Sequence, residues 1–236
     1  MNYTFEPIGF IRSPYKEKFG IPRQPGLIAE ARGELVFAAP YNRPEAVIGL
    51  EGYSHVWLQF VFHQALRDDW QPMVRPPRLG GNKRVGVFAS RSPFRPNPIG
   101  LSVVKLEQVR AGDGEVVLEL SGIDLLDGTP VLDVKPYVGY VDSIPEARSG
   151  FAPEAPAVRF QVLFSDLAEA QLLSRCEPDQ LRRFITRVLE VDPRPAYSGD
   201  SQPDRIYGIR LYDFDLRWRI SGDLVEVLEL APPGVD

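Results

Sequence analysis

The stretch Tyr53–His63, YSHVWLQFVFH, reads with a period of two. Ser54, Val56, Leu58, Phe60 and Phe62 fall on one face and are mostly apolar, while Tyr53, His55, Trp57, Gln59, Val61 and His63 fall on the other. That is a β-strand with one side in a core. Runs of the same kind surround it: GFIRSP from Gly9, ARGELVFA from Ala31, RVGVFAS from Arg84, LSVVKLEQV from Leu101, EVVLELSGI from Glu115 and PVLDVKPYV from Pro130. Gly, Pro and Asp punctuate them, with turns expected at Arg110–Glu115 (RAGDGE) and Leu126–Pro130 (LDGTP). Many short strands with turn signals predict a barrel or sandwich, so the chain is expected to be mainly β.

The pattern breaks at Ile144–Ala157, where Ala, Pro and Ser dominate. It reads as a linker, about 146–157, between a compact β-barrel domain over 1–145 and a small α+β unit over 158–236. In the second unit Ser165–Cys176 and Glu177–Val191 look helical, with Ser165 as N-cap and Leu181, Phe184, Ile185, Val188 and Leu189 on one face. Cys176 is expected in the first helix as a core thiol. Arg205–Ile220 alternates, SGD turns, and LVEVLEL returns, a hairpin beside two helices.

Composition narrows the class. The chain has 236 residues and is 44% hydrophobic, enough for a real core. A single cysteine excludes an internal disulfide and a cysteine zinc site. The start, MNYTFEPIGF, has neither a basic region nor a long apolar one, and no apolar run is long enough to span a membrane, so a cytoplasmic location is expected. Net charge is −5, yet from Trp70 to Leu106 there is no acid, and Arg75, Arg78, Lys83, Arg84, Arg91, Arg95 and Lys105 give +7, leaving −12 elsewhere. A basic surface on an acidic body points to a local anionic partner.

Familiar catalytic signatures are missing. No GxGxxG opens a helix, LGGNKRVG lacks Walker spacing, and no Ser sits in a nucleophile elbow. His55 and His63 are about 26 Å apart along one strand and cannot share a metal within the chain. Asp124, Asp127 and Asp133 are better explained by turn chemistry beside Gly128 than by a cation, so no metal is expected. What remains is a set of stiff polar loops: IPRQPG (Ile21–Gly26), RPPRLGGN (Arg75–Asn82), SRSPFRPNPIG (Ser90–Gly100), DLLDGTP (Asp124–Pro130) and DPRPAY (Asp192–Tyr197). Proline fixes φ and restrains the residue before it, so such loops hold their donors in place before a ligand arrives.

Those loops, with SPYKEKFGIPRQPG, GLEGYSHVWLQFVFH and GVFASRSPFRPNPIG, resemble the TsaA/TrmO family of S-adenosylmethionine-dependent tRNA methyltransferases across nearly the whole chain. The resemblance implies a β-barrel cofactor domain and a homodimer whose second copy completes the site. It implies S-adenosyl-L-methionine, tRNA as partner at its anticodon loop, no DNA, no membrane, and methylation at N6 of threonylcarbamoyladenosine 37 in threonine tRNA. Carried over, the cofactor contacts are Gln24, Pro25, Gly26, His63, Gln64, Arg91, Leu101, Asp127, Gly128, Thr129 and Pro130. Asp127 would face the cofactor's positive groups and Arg91 its carboxylate.

The acceptor nitrogen is delocalised into the purine and a neighbouring carbonyl, so its proton must leave or a cation must stabilise the anion. Arg95 and Lys83 are candidates for the cation, and Tyr197 and Tyr137 for a proton relay. Arg75, Arg78, Lys83 and Arg84 suit anticodon-loop phosphates. Arg182, Arg183, Arg187 and Arg194 offer the second unit a further tRNA contact. Two alternatives stay open: a non-catalytic module that binds S-adenosylmethionine or RNA, and a methyltransferase for another acceptor.

Overall fold

The computed structural model describes residues 3–67, 69–112, 114–194 and 205–234. In chain order it contains β1 (Gly9–Arg12), β2 (Arg32–Phe37), β3 (His55–Val61), β4 (Met73–Val74), β5 (Val85–Gly86), β6 (Ile99–Gly112), β7 (Glu115–Ser121) and β8 (Pro130–Pro136). A one-turn helix α1 (Gly139–Asp142) follows, then β9 (Gln161–Phe164), α2 (Asp166–Leu173), α3 (Pro178–Glu190), β10 (Ile206–Leu211), β11 (Phe214–Ser221) and β12 (Leu224–Ala231). Six strands close into a barrel in the order β1-β2-β7-β6-β3-β8, every neighbouring pair antiparallel. Closure leaves no open edge in this sheet.

β3 behaves as its alternation dictates. Val56 and Leu58 are fully buried and Phe60 nearly so, while the residues between them are only half-buried. β3 pairs with β6 on one side and β8 on the other, Gln59 lying between Leu101 and Asp133. Phe60 lies over Gly100, where a Cβ would stand 2.2 Å from its ring. The β6–β7 hairpin turns between Gly112 and Glu115.

The run RVGVFAS does not join the barrel. Only Val85 and Gly86 form a strand, paired to β4 in a two-stranded ribbon, and Val87–Ala89 coils into a 3-10 turn. Its alternation is too short to fill a barrel position: Val87 is buried and Phe88 is 72% exposed.

The second unit is a four-stranded sheet, β10-β11-β12-β9, with β9 parallel to β12. The apolar face of α3, Phe184, Ile185, Val188 and Leu189, is buried with Phe214, Leu216, Trp218, Val225 and Val227 of the sheet. The Ser165 hydroxyl accepts the Ala168 N–H at 3.1 Å and caps α2. Cys176 departs from expectation, lying exposed in the turn between α2 and α3. Pro178 allows a helix to begin there but not to run through it.

The barrel and the second unit share one core along residues 13–21. Tyr15 is fully buried, its backbone bridges Leu211, and its ring lies 6.0 Å from that of Phe184. The Tyr212 N–H donates to the Pro14 carbonyl at 2.8 Å. Phe19 stacks on Trp218, with ring centroids 6.3 Å apart. Among the described residues no helix is long and apolar enough to cross a membrane.

Candidate functional site

One end of the barrel is finished by loops held to one another by backbone. As β1 ends, the chain laces onto 125–129. Ser13 N–H donates to an Asp127 carboxylate oxygen and Ser13 Oγ to the Leu125 carbonyl, both at 2.8 Å. Asp127 N–H donates to Tyr15 O and Gly128 N–H to Ile11 O, again at 2.8 Å. Gly128 takes φ 74°, a conformation glycine accepts without penalty. Thr129 is buried and its hydroxyl donates to the Leu126 carbonyl, while Pro130 opens β8. The other oxygen of Asp127 pairs with Lys16 at 2.8 Å. Within one chain, then, Asp127 already has a cation and a backbone donor.

Gln24, Pro25 and Gly26 lie against this end. Gly26 N–H donates to Gly122 O at 2.8 Å, and a Cβ on Gly122 would come 3.2 Å from the Gly26 Cα. Both glycines take positive φ, 75° at Gly26 and 70° at Gly122, a backbone conformation that glycine adopts without penalty. The Arg91 guanidinium donates to the Gln24 side-chain carbonyl, so loops 67 positions apart in sequence meet. Beside them lies Asp124, which receives the Ser102 hydroxyl at 2.7 Å. Burial pushes the Asp124 carboxyl up to about 6, against the opposing pull of Ser102 and the positive charge of Arg91. In the sequence Asp124 reads as a turn residue beside Gly128. The signal that finds it is the inward polar Ser102 in an apolar strand, which needs a partner.

His63 and Gln64 follow β3, and the Gln64 carbonyl accepts Lys18 Nζ at 2.6 Å. Leu101 is 51% exposed on the outer surface beside Gln59, one residue before the inward Ser102. The barrel wall therefore separates Leu101 from Asp124 within one chain.

The proline loop is bonded to itself. Ser90 Oγ donates to Val87 O, Ser92 N–H to Ser90 Oγ, Phe94 N–H to Ser92 Oγ and Ile99 N–H to Asn97 O. Arg95 turns back onto the Ser90 carbonyl at 3.4 Å, whereas Arg91 is exposed toward Gln24. Arg75, Arg78, Lys83 and Arg84 all stand exposed on the β4–β5 ribbon, Arg78 donating to the Glu154 carbonyl.

Other candidates fall elsewhere. Tyr137 packs on His55 and Trp57, at the far end of β3 from His63. Tyr197 lies outside the described residues. Arg194, expected to meet RNA, is 4% exposed: Nε and Nη2 hold Asp192 at 2.8 and 2.9 Å, and Phe160 and Tyr207 flank the guanidinium. Its cation is spent inside the fold, which removes it from a phosphate-binding surface. Arg182 pairs with Glu169, and Arg187 with Glu190 and Glu30, while Arg183 is exposed. Cavities of about 430 and 190 Å³ lie along the seam between the units, and neither is lined by Gln24, Arg91 or Asp124. Among the described residues no group of His, Cys, Asp and Glu is placed to hold a metal ion.

Known proteins resemble this chain in sequence and in fold. The model of the tRNA-methyltransferase O N-terminal domain matches residues 10–143, and that of the TrmO C-terminal domain matches 157–233. A tRNA (adenine(37)-N6)-methyltransferase of Escherichia coli K12 is 51% identical, over 98% of this chain and 99% of its own. A Pseudomonas aeruginosa protein named as an S-adenosylmethionine-dependent methyltransferase is 50% identical, over 98% of this chain and 99% of its own. The crystal structure of TrmO from Pseudomonas aeruginosa superposes with a TM-score of 0.80 at 44% identity, covering 98% of this chain and 99% of that one.

Proposed function

The chain belongs to the tRNA-methyltransferase O family; from that premise we propose that it is an enzyme that methylates N6 of adenine 37 in tRNA, that its substrate is threonylcarbamoyladenosine 37 of threonine tRNA and that its methyl donor is S-adenosyl-L-methionine. The observation that carries the reading is the meeting of Gln24, Arg91, Asp124 and Ser102 at one end of the barrel.

That donor set fits the cofactor's chemistry. S-adenosyl-L-methionine supplies a methyl group activated on a cationic sulfur, and also carries an ammonium, a carboxylate and an adenine. Asp124, its carboxyl near 6, is mostly ionised at neutral pH and supplies negative charge for the cationic groups. Arg91 is exposed and can exchange Gln24 for a carboxylate in a charge-assisted pair. Gly26 and Gly122 keep the surface flat enough for close approach. The Ser90–Gly100 loop orients Arg91 through its own hydrogen bonds, so little freedom is lost on binding. Methyl transfer needs nitrogen, carbon and sulfur in line, and a rigid cradle contributes chiefly by holding that alignment.

Lys83 or Arg95 would stabilise charge developing at N6, and Tyr137 or Tyr197 would relay the proton. Arg95 is tied to its own loop and Tyr137 stands at the far end of β3, so a contribution from a second copy is the natural arrangement. Leu101, outward beside the exposed Ile99, suits the surface where that copy sits. Ribbon residues Arg75, Arg78, Lys83 and Arg84 take anticodon-loop phosphates. The division into a barrel domain over 1–145 and a second unit over 158–236 and a cytoplasmic site of action belong to the same proposal.

Nucleoside mass spectrometry of tRNA from a deletion strain tests it. The threonylcarbamoyladenosine should lose one methyl mass and regain it on complementation. An unchanged nucleoside mass would overturn the substrate assignment, and labelled methyl left untransferred to tRNA carrying that nucleoside would overturn catalysis itself. Arg91→Ala should raise the cofactor Kd at least tenfold in calorimetry, since a hydrogen bond to a charged group is worth about 1.5–3 kcal/mol.

A further inference from the structure

At the root of the β4–β5 ribbon two large aromatic side chains are left in solvent. Trp70 is 51% exposed and Phe88 72% exposed, and their ring centroids lie 6.2 Å apart at 33°. The ribbon brings them together: Met73 pairs with Gly86, and Val87 N–H donates to Pro72 O at 2.9 Å. Two rings held side by side in water at this exposure contribute little to the core. Phe88 buries little of its surface and Trp70 only about half, so the fold gains little by placing them there.

Their surroundings identify an occupant. On the outward side of the pair the ribbon carries Arg75, Arg78, Lys83 and Arg84, all exposed. On the other side, three residues beyond Phe88, Arg91 reaches the Gln24 loop of the cofactor site. From Trp70 to Leu106 the chain has no acid. The same loop carries a third exposed ring, Phe94, with the Arg67 guanidinium 3.9 Å over it. Exposed rings interleaved with exposed cations make a platform for single-stranded nucleic acid: the cations track phosphates and the rings stack on bases.

We infer that Trp70 and Phe88 form a stacking site for an unpaired RNA base, a neighbour of the acceptor adenine in the anticodon loop. The inference rests on the proposed tRNA reading and adds to it the place where a flanking base is held. Its position between the ribbon cations and Arg91 puts the stacked base on the path from the phosphate contacts to the methyl donor. Stacking tolerates any base, so the pair grips the loop and leaves the choice of sequence to other contacts.

The test compares binding of an anticodon stem-loop RNA with a fully paired hairpin of equal length, using the full chain and the double variant Trp70→Ala/Phe88→Ala. Losing a stacked base should raise Kd for the stem-loop about tenfold, within a range of about 5-fold to 150-fold. The paired hairpin should bind as before. The slope of log Kd against log salt should not change, because no phosphate contact is lost. Joint replacement of Arg75, Arg78, Lys83 and Arg84 by Ala should instead flatten that slope. Trp70→Phe/Phe88→Tyr should restore stem-loop affinity, which excludes a folding defect. Stem-loop affinity within twofold of wild type, an equal loss on the paired hairpin, or conversion of a dimer to a monomer would each overturn the inference. The substrate reading is judged separately, by methyl transfer from the unaltered protein.

Discussion

Asp124 and Asp127 lie three residues apart and do different work. Asp127 is neutralised by Lys16 and capped by the Ser13 N–H, so it fixes the turn. Asp124 has the Ser102 hydroxyl and the charge of Arg91 acting on it, and burial leaves its carboxyl near 6. In the unfolded chain the same group ionises near 3.8. Between those values the folded protein holds a proton that the unfolded chain has lost, so stability falls as pH rises from about 4 to 6. The prediction for Asp124→Asn follows. At pH 4 its melting temperature should match wild type, and at neutral pH it should be more stable, by up to about 3 kcal/mol. Over the same range wild-type cofactor affinity should rise as the carboxylate forms, while that of the variant stays flat. Melts and calorimetric titrations at both pH values check this, and a stability difference that ignores pH would remove Asp124 from the role. The choice between the two aspartates was not legible in the chain, because both precede turn-forming segments and their partners come from elsewhere. Arg194 misleads for a related reason. Flanking prolines suggest a presented cation, but the slot that buries it is built by Phe160 and Tyr207, remote in sequence.

Among the elements, legibility followed periodicity. β3 alternates over a full strand and α3 repeats an apolar face over three turns, and both form where their patterns place them. β9 has four residues, QVLF, and becomes a strand only because β12 offers it an edge. The run from Arg84 has strand composition, yet a barrel already closed by six strands offers it no neighbour, and it ends as ribbon and turn. Gly100 is the converse, a residue that reads as a simple loop exit and is a packing requirement. An added Cβ meets the Phe60 ring at 2.2 Å, against a strand held on both sides. Gly100→Val should therefore destabilise the protein by about 1–3 kcal/mol through overpacking. The double variant with Phe60→Ala should lose less stability than the two single changes summed, because the ring is the obstacle. Denaturant melts of the single and double variants measure the coupling, and strictly additive effects would mean that Gly100 matters for another reason.

At the scale of the whole molecule the second unit does more than extend the surface. Segment 13–21 is clamped on both sides: Ser13 and Tyr15 bond to 125–127, and Phe19 stacks on Trp218. Glu17 accepts the Arg210 backbone N–H at 2.9 Å, and Lys18 reaches the Gln64 carbonyl. The same segment runs straight into Gln24–Gly26. The sheet of the second unit therefore braces a loop of the proposed cofactor site that it does not itself line. Phe19→Leu keeps most of the apolar volume and removes the stack on Trp218. The expected cost in stability is small, about 1 kcal/mol. The expected effect on the cofactor is larger than that cost would suggest: Kd should rise several-fold as Gln24 loses its fixed position opposite Arg91, with stem-loop RNA affinity unchanged. A variant that merely unfolds more readily would lose both affinities together, and only on warming. Calorimetry with S-adenosylmethionine and RNA binding, both well below the melting temperature, separate the two. If cofactor affinity in Phe19→Leu equalled that of wild type, the second unit would be packed against the barrel without steering its site, and the bracing role would fall.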